Sequence, residues 1–173
     1  MLITQTPRLL LRELTAEDAP FIFKLVNEPA WLQFIGDKGV RTIEDAVQYI
    51  LNGPVKSYTA NGFGLWLVQL KEGSIPIGMC GLIKRDALEH VDIGFAFLAV
   101  HNGRGYGFEA ATAVLDYAKN KIGLPHILAI TNQDNVRSIR LLEKLGLTFE
   151  RLITMPGDAK PIRLMGTSLL PTR

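Results

Sequence analysis

Gly103, Gly105 and Gly107 stand at alternate positions in the run His101-Asn102-Gly103-Arg104-Gly105-Tyr106-Gly107-Phe108-Glu109. Glycines spaced in this way let the main chain take left-handed conformations and approach a ligand closely. Just beyond them Phe108, Ala111, Val114, Leu115 and Ala118 fall on one helical stripe, so the turn leads into an amphipathic helix. The first turn of a helix offers unpaired N–H groups and the positive end of the helix dipole, which together suit a phosphate. Arg104 adds a local positive charge. The chemistry on offer is capture of a phosphorylated ligand by main-chain donors; a tight turn with no ligand is the alternative that spacing leaves open. A P-loop does not fit, because no Gly-Lys-Ser/Thr follows, and the dinucleotide-binding spacing breaks at Phe108.

The elements that must position this turn follow from periodicity. Arg8 to Leu14 has the length of a strand, and Thr15 with Asp18 resembles a capping box opening a helix through Leu25. Thr42 with Asp45 opens a second helix whose face is Ala46, Val47, Ile50 and Leu51, predicted to end at Gly53. The aromatic stretch Trp31 to Gly36 lies between them. Strands are predicted at Phe63 to Leu70, Ile75 to Lys84 and His90 to Ala99, the first two joined by a turn at Lys71 to Ser74. After the glycine-led helix come a short strand at Ile127 to Thr131, a helix from Asn135 to Leu145 stopped by Gly146, and a terminal hairpin of Phe149 to Met155 with Ile162 to Leu169. Strand-helix-strand crossovers among antiparallel meanders predict a mixed α/β sheet in a single domain over residues 1–173.

Composition narrows the function further. Hydrophobic residues make up 47% and charged residues 21% of 173, an ordinary globular balance. A net charge of +2 supplies no field that would argue for nucleic acid as the main partner. Cys80 is the lone cysteine, flanked by strand-like apolar residues, and reads as an inert core thiol in a reducing cytoplasm. His90, His101 and His126 have no metal-ligand spacing, so no metal site is predicted. The amino terminus lacks the order of a signal peptide, and no apolar run approaches the roughly 18 residues of a membrane span. A cytoplasmic protein without membrane association is expected.

The turn resembles the pyrophosphate-binding signature of the GNAT acetyltransferase superfamily, Gln/Arg-x-x-Gly-x-Gly/Ala, with Asn102 at the first position where the family has Gln or Arg. The resemblance extends over nearly the whole chain. Thr6-x-Arg8-Leu9-x-Leu11-Arg12 looks like the family's opening strand, and Asp92-Ile93-Gly94-Phe95 is similar to the Glu-Ile-Gly-Tyr stretch before its phosphate loop. Asn135-x-x-Ser138-x-x-Leu141-x-Glu143-Lys144-Leu145-Gly146 is similar to the family's Asn-x-x-Ser/Ala helix and its stop. Together these resemble the branch of ribosomal-protein N-terminal (RimJ/RimL-like) acetyltransferases, which also includes enzymes acting on other amines.

The resemblance implies an α/β (α+β) domain with a mixed, mostly antiparallel sheet of roughly six or seven strands, about four helices and a splayed parallel strand pair. It implies transfer of an acetyl group from acetyl-CoA to a primary amine, a peptide N-terminus or a small molecule, by direct attack in a ternary complex. The pyrophosphate would lie on Asn102, Gly103, Arg104, Gly105, Tyr106 and Gly107, and the pantetheine arm along the main chain of Phe97, Leu98, Ala99 and Val100, with Asn135 hydrogen-bonded to it. Asp92 is the candidate base, directly or through water, with Glu89 a weaker one. The tyrosine that many members use to protonate the leaving thiolate is replaced by Leu142, and Ser138, near the sulfur, is the candidate substitute. Acceptor choice falls to Trp31 to Gly39 and Met155 to Pro161, with Trp31, Phe34 and Tyr49 as possible walls. A monomer and a homodimer both remain open. Two rivals stand beside this reading: a non-catalytic acetyl-CoA sensor or interaction module, and a nucleotide-binding protein using the same loop.

Overall fold

The structure is a computed structural model and describes residues 1–171. Its strands are β1 (Leu2–Gln5), β2 (Leu9–Arg12), β3 (Leu65–Leu70), β4 (Pro76–Ile83), β5 (Asp92–Phe97), β6 (His126–Thr131), β7 (Thr148–Ile153) and β8 (Ile162–Ser168). The helices are α1 (Ala19–Val26), α2 (Pro29–Phe34), α3 (Ile43–Ile50), α4 (Lys56–Asn61), α5 (Tyr106–Tyr117) and α6 (Val136–Lys144). One eight-stranded sheet runs in the order β1-β2-β3-β4-β5-β6-β8-β7. Every neighbouring pair is antiparallel except β5 and β6.

The sheet is covered on both faces. On one face Trp66, Cys80, Leu82 and Ile93 pack with Ala110, Ala111 and Val114 of α5 and Leu142 of α6. On the other, Leu67 and Met79 pack with Ile22, Leu25 and Val26 of α1, Ala46 and Ile50 of α3, and Trp31 of α2. Cys80 is wholly buried, and burial pushes its thiol well above the ordinary value. No helix among the described residues is long and apolar enough to cross a membrane.

Several local forecasts have visible causes. At α3 the Thr42 hydroxyl accepts from the Asp45 amide at 3.0 Å and Asp45 accepts from the Thr42 amide at 3.1 Å, the reciprocal cap read from the sequence. The helix does not stop at Gly53, however. A wider, π-type turn over Leu51–Val55 accommodates Pro54, and the chain continues as α4 until Gly62 turns it out at φ +79°. β1 was not foreseen as a strand. It is only four residues long and is made by its hairpin: Thr6 N–H donates to the Leu9 C=O at 2.9 Å, and Leu9 N–H donates to the Thr6 hydroxyl at 3.0 Å.

Candidate active site

β5 and β6 pair at one register position, Asp92 with Leu128, and Leu128 N–H donates to the Val91 C=O at 3.0 Å. Beyond that vertex neither strand has a partner across the gap. On its other edge β5 is zipped to β4 up to Leu98, whose N–H donates to the Ile77 C=O at 2.9 Å. Main-chain groups of alternate residues point to opposite edges of a strand. Leu98, Ala96 and Gly94 therefore face β4; the other edge carries Ile93 at the junction and, beyond it, Phe95 and Phe97, which turn their N–H and C=O groups into the gap. The Ala99 N–H is taken by Glu28 Oε1 at 2.7 Å, and Val100 is exposed beyond it. Of the four residues assigned to the coenzyme arm from sequence, Phe97 presents its main chain to the gap. Phe95, which sequence reasoning passed over, does the same; the strand phase that reveals it is set by pairing with β4.

The glycine turn stands at the mouth of this gap. Gly103 and Gly105 take φ of +79° and +80°, a region that L side chains rarely adopt. Gly105 is the N-cap of α5, and the Glu109 N–H to Gly105 C=O bond of 3.0 Å is an early rung of that helix. The amides just ahead of it are those that helix geometry leaves unpaired. A Cβ on Gly103 would meet nothing within 4 Å, so the turn is open outward there. On Gly107 it would come within 3.3 Å of Leu141 Cδ2 and 3.6 Å of Phe97 Cε2, which binds the start of α5 to α6 and to the end of β5. Arg104 and Asn102 are exposed beside the turn.

Asn135 caps α6, its Oδ1 accepting from the Ser138 N–H at 3.2 Å. Ser138 is half-buried in the first turn of that helix. Leu142 is 1% exposed and lies in the core. Asp92 sits at the vertex on the opposite face from Ile93, is 1% exposed, and accepts from Arg85 Nε at 3.0 Å. Burial pushes its carboxyl up to about 6 against the lowering charge and hydrogen bond of Arg85. β6 runs three residues past the vertex to Thr131, about 10 Å at strand rise, before the chain turns toward Ser138. Asp92 therefore lies at the closed end of the gap, and Ser138 follows the strand that leaves it. Glu89 is exposed in the loop before β5.

On the sheet face opposite α5 lie α1, α2 and α3, which carry the residues expected from sequence to border the acceptor. Trp31 is 5% exposed within their core, and its Nε1 has no partner among the described residues. Phe34 is half-buried at the cap's edge, and its C=O accepts from Asn132 Nδ2 at 3.0 Å, tying α2 to the chain just after β6. Tyr49 is half-buried on α3, where burial pushes its hydroxyl up to about 12 while Arg85 pulls the other way.

The sequence matches the model of the Acetyltransferase (GNAT) domain over residues 8–148. The chain belongs to the GNAT acetyltransferase family. Among related proteins, the uncharacterised N-acetyltransferase YnaD of Bacillus subtilis is 29% identical over 145 residues, 84% of this chain and 82% of its own. The ribosomal L7/L12 alpha-N-protein acetyltransferase RimL, solved with coenzyme A, superposes with a TM-score of 0.83 at 15% identity over 97% of this chain and 98% of its own. A spermidine N-acetyltransferase of Vibrio cholerae, solved with coenzyme A and spermine, gives 0.77 at 19% identity over 95% and 97%. At such identities the two structures establish the fold. The family membership makes this GNAT chain an acetyl-CoA-dependent acyltransferase, and none of the comparisons favours a non-catalytic sensor. The open main-chain edge of β5 and the left-handed glycines fit a ligand with an amide-bearing arm and a diphosphate, as acetyl-CoA has.

Proposed function

We propose that this GNAT protein acetylates a primary amine, a peptide N-terminus or a small-molecule amine, by direct attack on acetyl-CoA in a ternary complex. The observation that carries the proposal is the single-register junction of β5 and β6, with an outward-opening glycine turn at its mouth. The main chain of Phe95 and Phe97 pairs with the pantetheine arm, and the turn from Asn102 to Gly107 holds the diphosphate. Asn135 orders the first turn of α6 and borders the arm. An N–H on the open edge of β5 stabilises the oxyanion as the amine adds to the thioester carbonyl. Collapse expels the coenzyme thiolate, to which the Ser138 hydroxyl donates a hydrogen bond. The amine's proton passes to Asp92, directly or through a bridging water.

An α-amino group, with its ordinary pKa of about 7.7–8.0, keeps roughly a tenth of its population neutral at pH 7, so a carboxylate base of raised pKa suffices for it. Trp31 supports the acceptor flank from within the core, and Phe34 borders the acceptor. The related structures name two acceptor classes to try first, a ribosomal-protein N-terminus and a polyamine. The test is a screen for thiol release from acetyl-CoA across peptides beginning with ribosomal-protein N-termini, polyamines, amino acids and aminated drugs. Thiol release with one class supports the proposal. Coenzyme binding without release across the panel overturns it.

A further inference from the structure

The hairpin of β1 and β2 grips the glycine turn and the first turn of α5. Thr6 Oγ1 donates to Glu109 Oε1 at 2.7 Å, and the Arg8 N–H donates to the same oxygen at 3.0 Å. Arg8 Nε donates to Glu109 Oε2 at 2.7 Å, and Nη1 donates to the Arg104 C=O at 3.0 Å. The same guanidinium lies 4.4 Å from the centre of the Tyr106 ring, and its Nη2 is 3.4 Å from where a Cβ on Gly105 would stand. One side chain therefore touches Arg104, Tyr106 and Glu109, from about a hundred positions away in sequence. Nothing in the transfer chemistry above uses it.

The geometry of the peptide unit gives this grip a consequence. In a trans peptide the C=O and the following N–H point in opposite directions. Holding the Arg104 C=O on Arg8 aims the Gly105 N–H away from Arg8 and the hairpin. Glu109 is the second element. A carboxylate in the first turn of a helix competes with an incoming phosphate for the same positive end. Burial alone would raise the Glu109 pKa, but the bonds from Thr6 and Arg8 outweigh it and hold the carboxyl below its ordinary value. The charge is thereby drawn onto Arg8 and away from the site.

We propose that Arg8 is a positioning residue of the coenzyme site, which fixes the orientation of the phosphate-binding amides by holding the Arg104 carbonyl and the Glu109 carboxylate. The proposal rests on the acetyltransferase reading given above. An ion pair whose arginine is 47% exposed adds little to stability, so its main effect falls on the turn.

The experiment compares two acyl donors: acetyl-CoA, and acetyl-pantetheine, which has the same thioester arm and no phosphate. Arg8→Met is expected to raise KM for acetyl-CoA about tenfold more than KM for acetyl-pantetheine. Arg8→Lys should recover only part of the loss, since an ammonium restores charge without the planar fork. Equal losses with both donors would mean a general disturbance of the fold and overturn the proposal, as would complete recovery by lysine, which would leave charge alone as the cause. Should Arg8→Met fail to fold by circular dichroism, Arg8→Gln carries the test, with the same donor-selective direction at about threefold or more; no selectivity there overturns it equally. Calorimetry separates the two levels. Wild-type protein that does not bind acetyl-CoA overturns the acetyltransferase reading, whereas wild-type binding with equal affinity in Arg8→Met overturns only the role of Arg8.

Discussion

The two flanks of the β5–β6 gap are built on different principles. On the proposed donor flank the groups on offer are main-chain atoms: the open edge of β5 and the amides of a turn held at positive φ by Gly103 and Gly105. On the proposed acceptor flank they are side chains from separate segments, Phe34 on α2 and Tyr49 on α3. The first flank can bind one coenzyme in many relatives, because a backbone shape survives most substitutions around it. The second can change its acceptor with a handful of replacements. A coenzyme shared by a family and an acceptor particular to each member are what this division would produce.

The strongest test of the division is at the vertex, where Asp92 is the proposed base. Asp92→Asn should lower kcat by about a hundredfold or more, in the range of general-base losses, with little change in acetyl-CoA affinity by calorimetry. Its pH profile supplies a second check. Burial raises the Asp92 pKa to about 6, so the ionised, competent fraction grows as pH rises through that value and disappears as pH falls below it. Wild-type kcat should therefore show a rising limb near pH 6 that the asparagine variant lacks. A retained limb would assign it to another group.

Next in size is the donor flank itself. Gly105→Val forces a β-branched residue to φ +80° with its Cβ against Arg8, and should weaken acetyl-CoA binding about thirtyfold while acceptor KM stays within about threefold. Normal coenzyme affinity in a folded variant would remove the turn from the site. Ser138→Ala should slow turnover about tenfold, because it removes one hydroxyl from the departing thiolate. A thioester with a better leaving group should narrow that deficit, and an equal deficit with both donors would deny the role. The smallest effect is on the acceptor flank: Phe34→Ala should shift acceptor KM about threefold and leave acetyl-CoA KM alone. A coenzyme-side shift instead would erase the distinction between the flanks.

Trp31 calibrates how far aromatics on that flank could be interpreted. In sequence it stands beside Phe34 as a candidate wall. In the structure it is 5% exposed among Ile22, Leu25 and Val40, so its first duty is to the core, while Phe34 stays at the edge. Trp31→Ala should cost about 3–5 kcal/mol of stability, the usual range for emptying a large aromatic site, measurable by denaturant unfolding. Sequence could not separate the two, since both are aromatic residues on one short helix and only packing against α1 decides which turns inward.

The sequence by itself determined what is local. The Thr42–Asp45 cap, the alternate glycines leading into α5, the Asn135 cap of α6 and the terminal hairpin are each written within a few residues, because turns and caps are made by neighbours in the chain. Tertiary structure decided what joins distant positions. The phase of β5, and so whether Phe95 or Leu98 opens to the gap, comes from its register with β4. The pairing of Asp92 with Arg85 depends on where a loop returns, and the hold of Arg8 on Arg104 and Glu109 on the docking of the first hairpin under α5. Strand phase and ion pairing are relations between segments, and no single segment contains them.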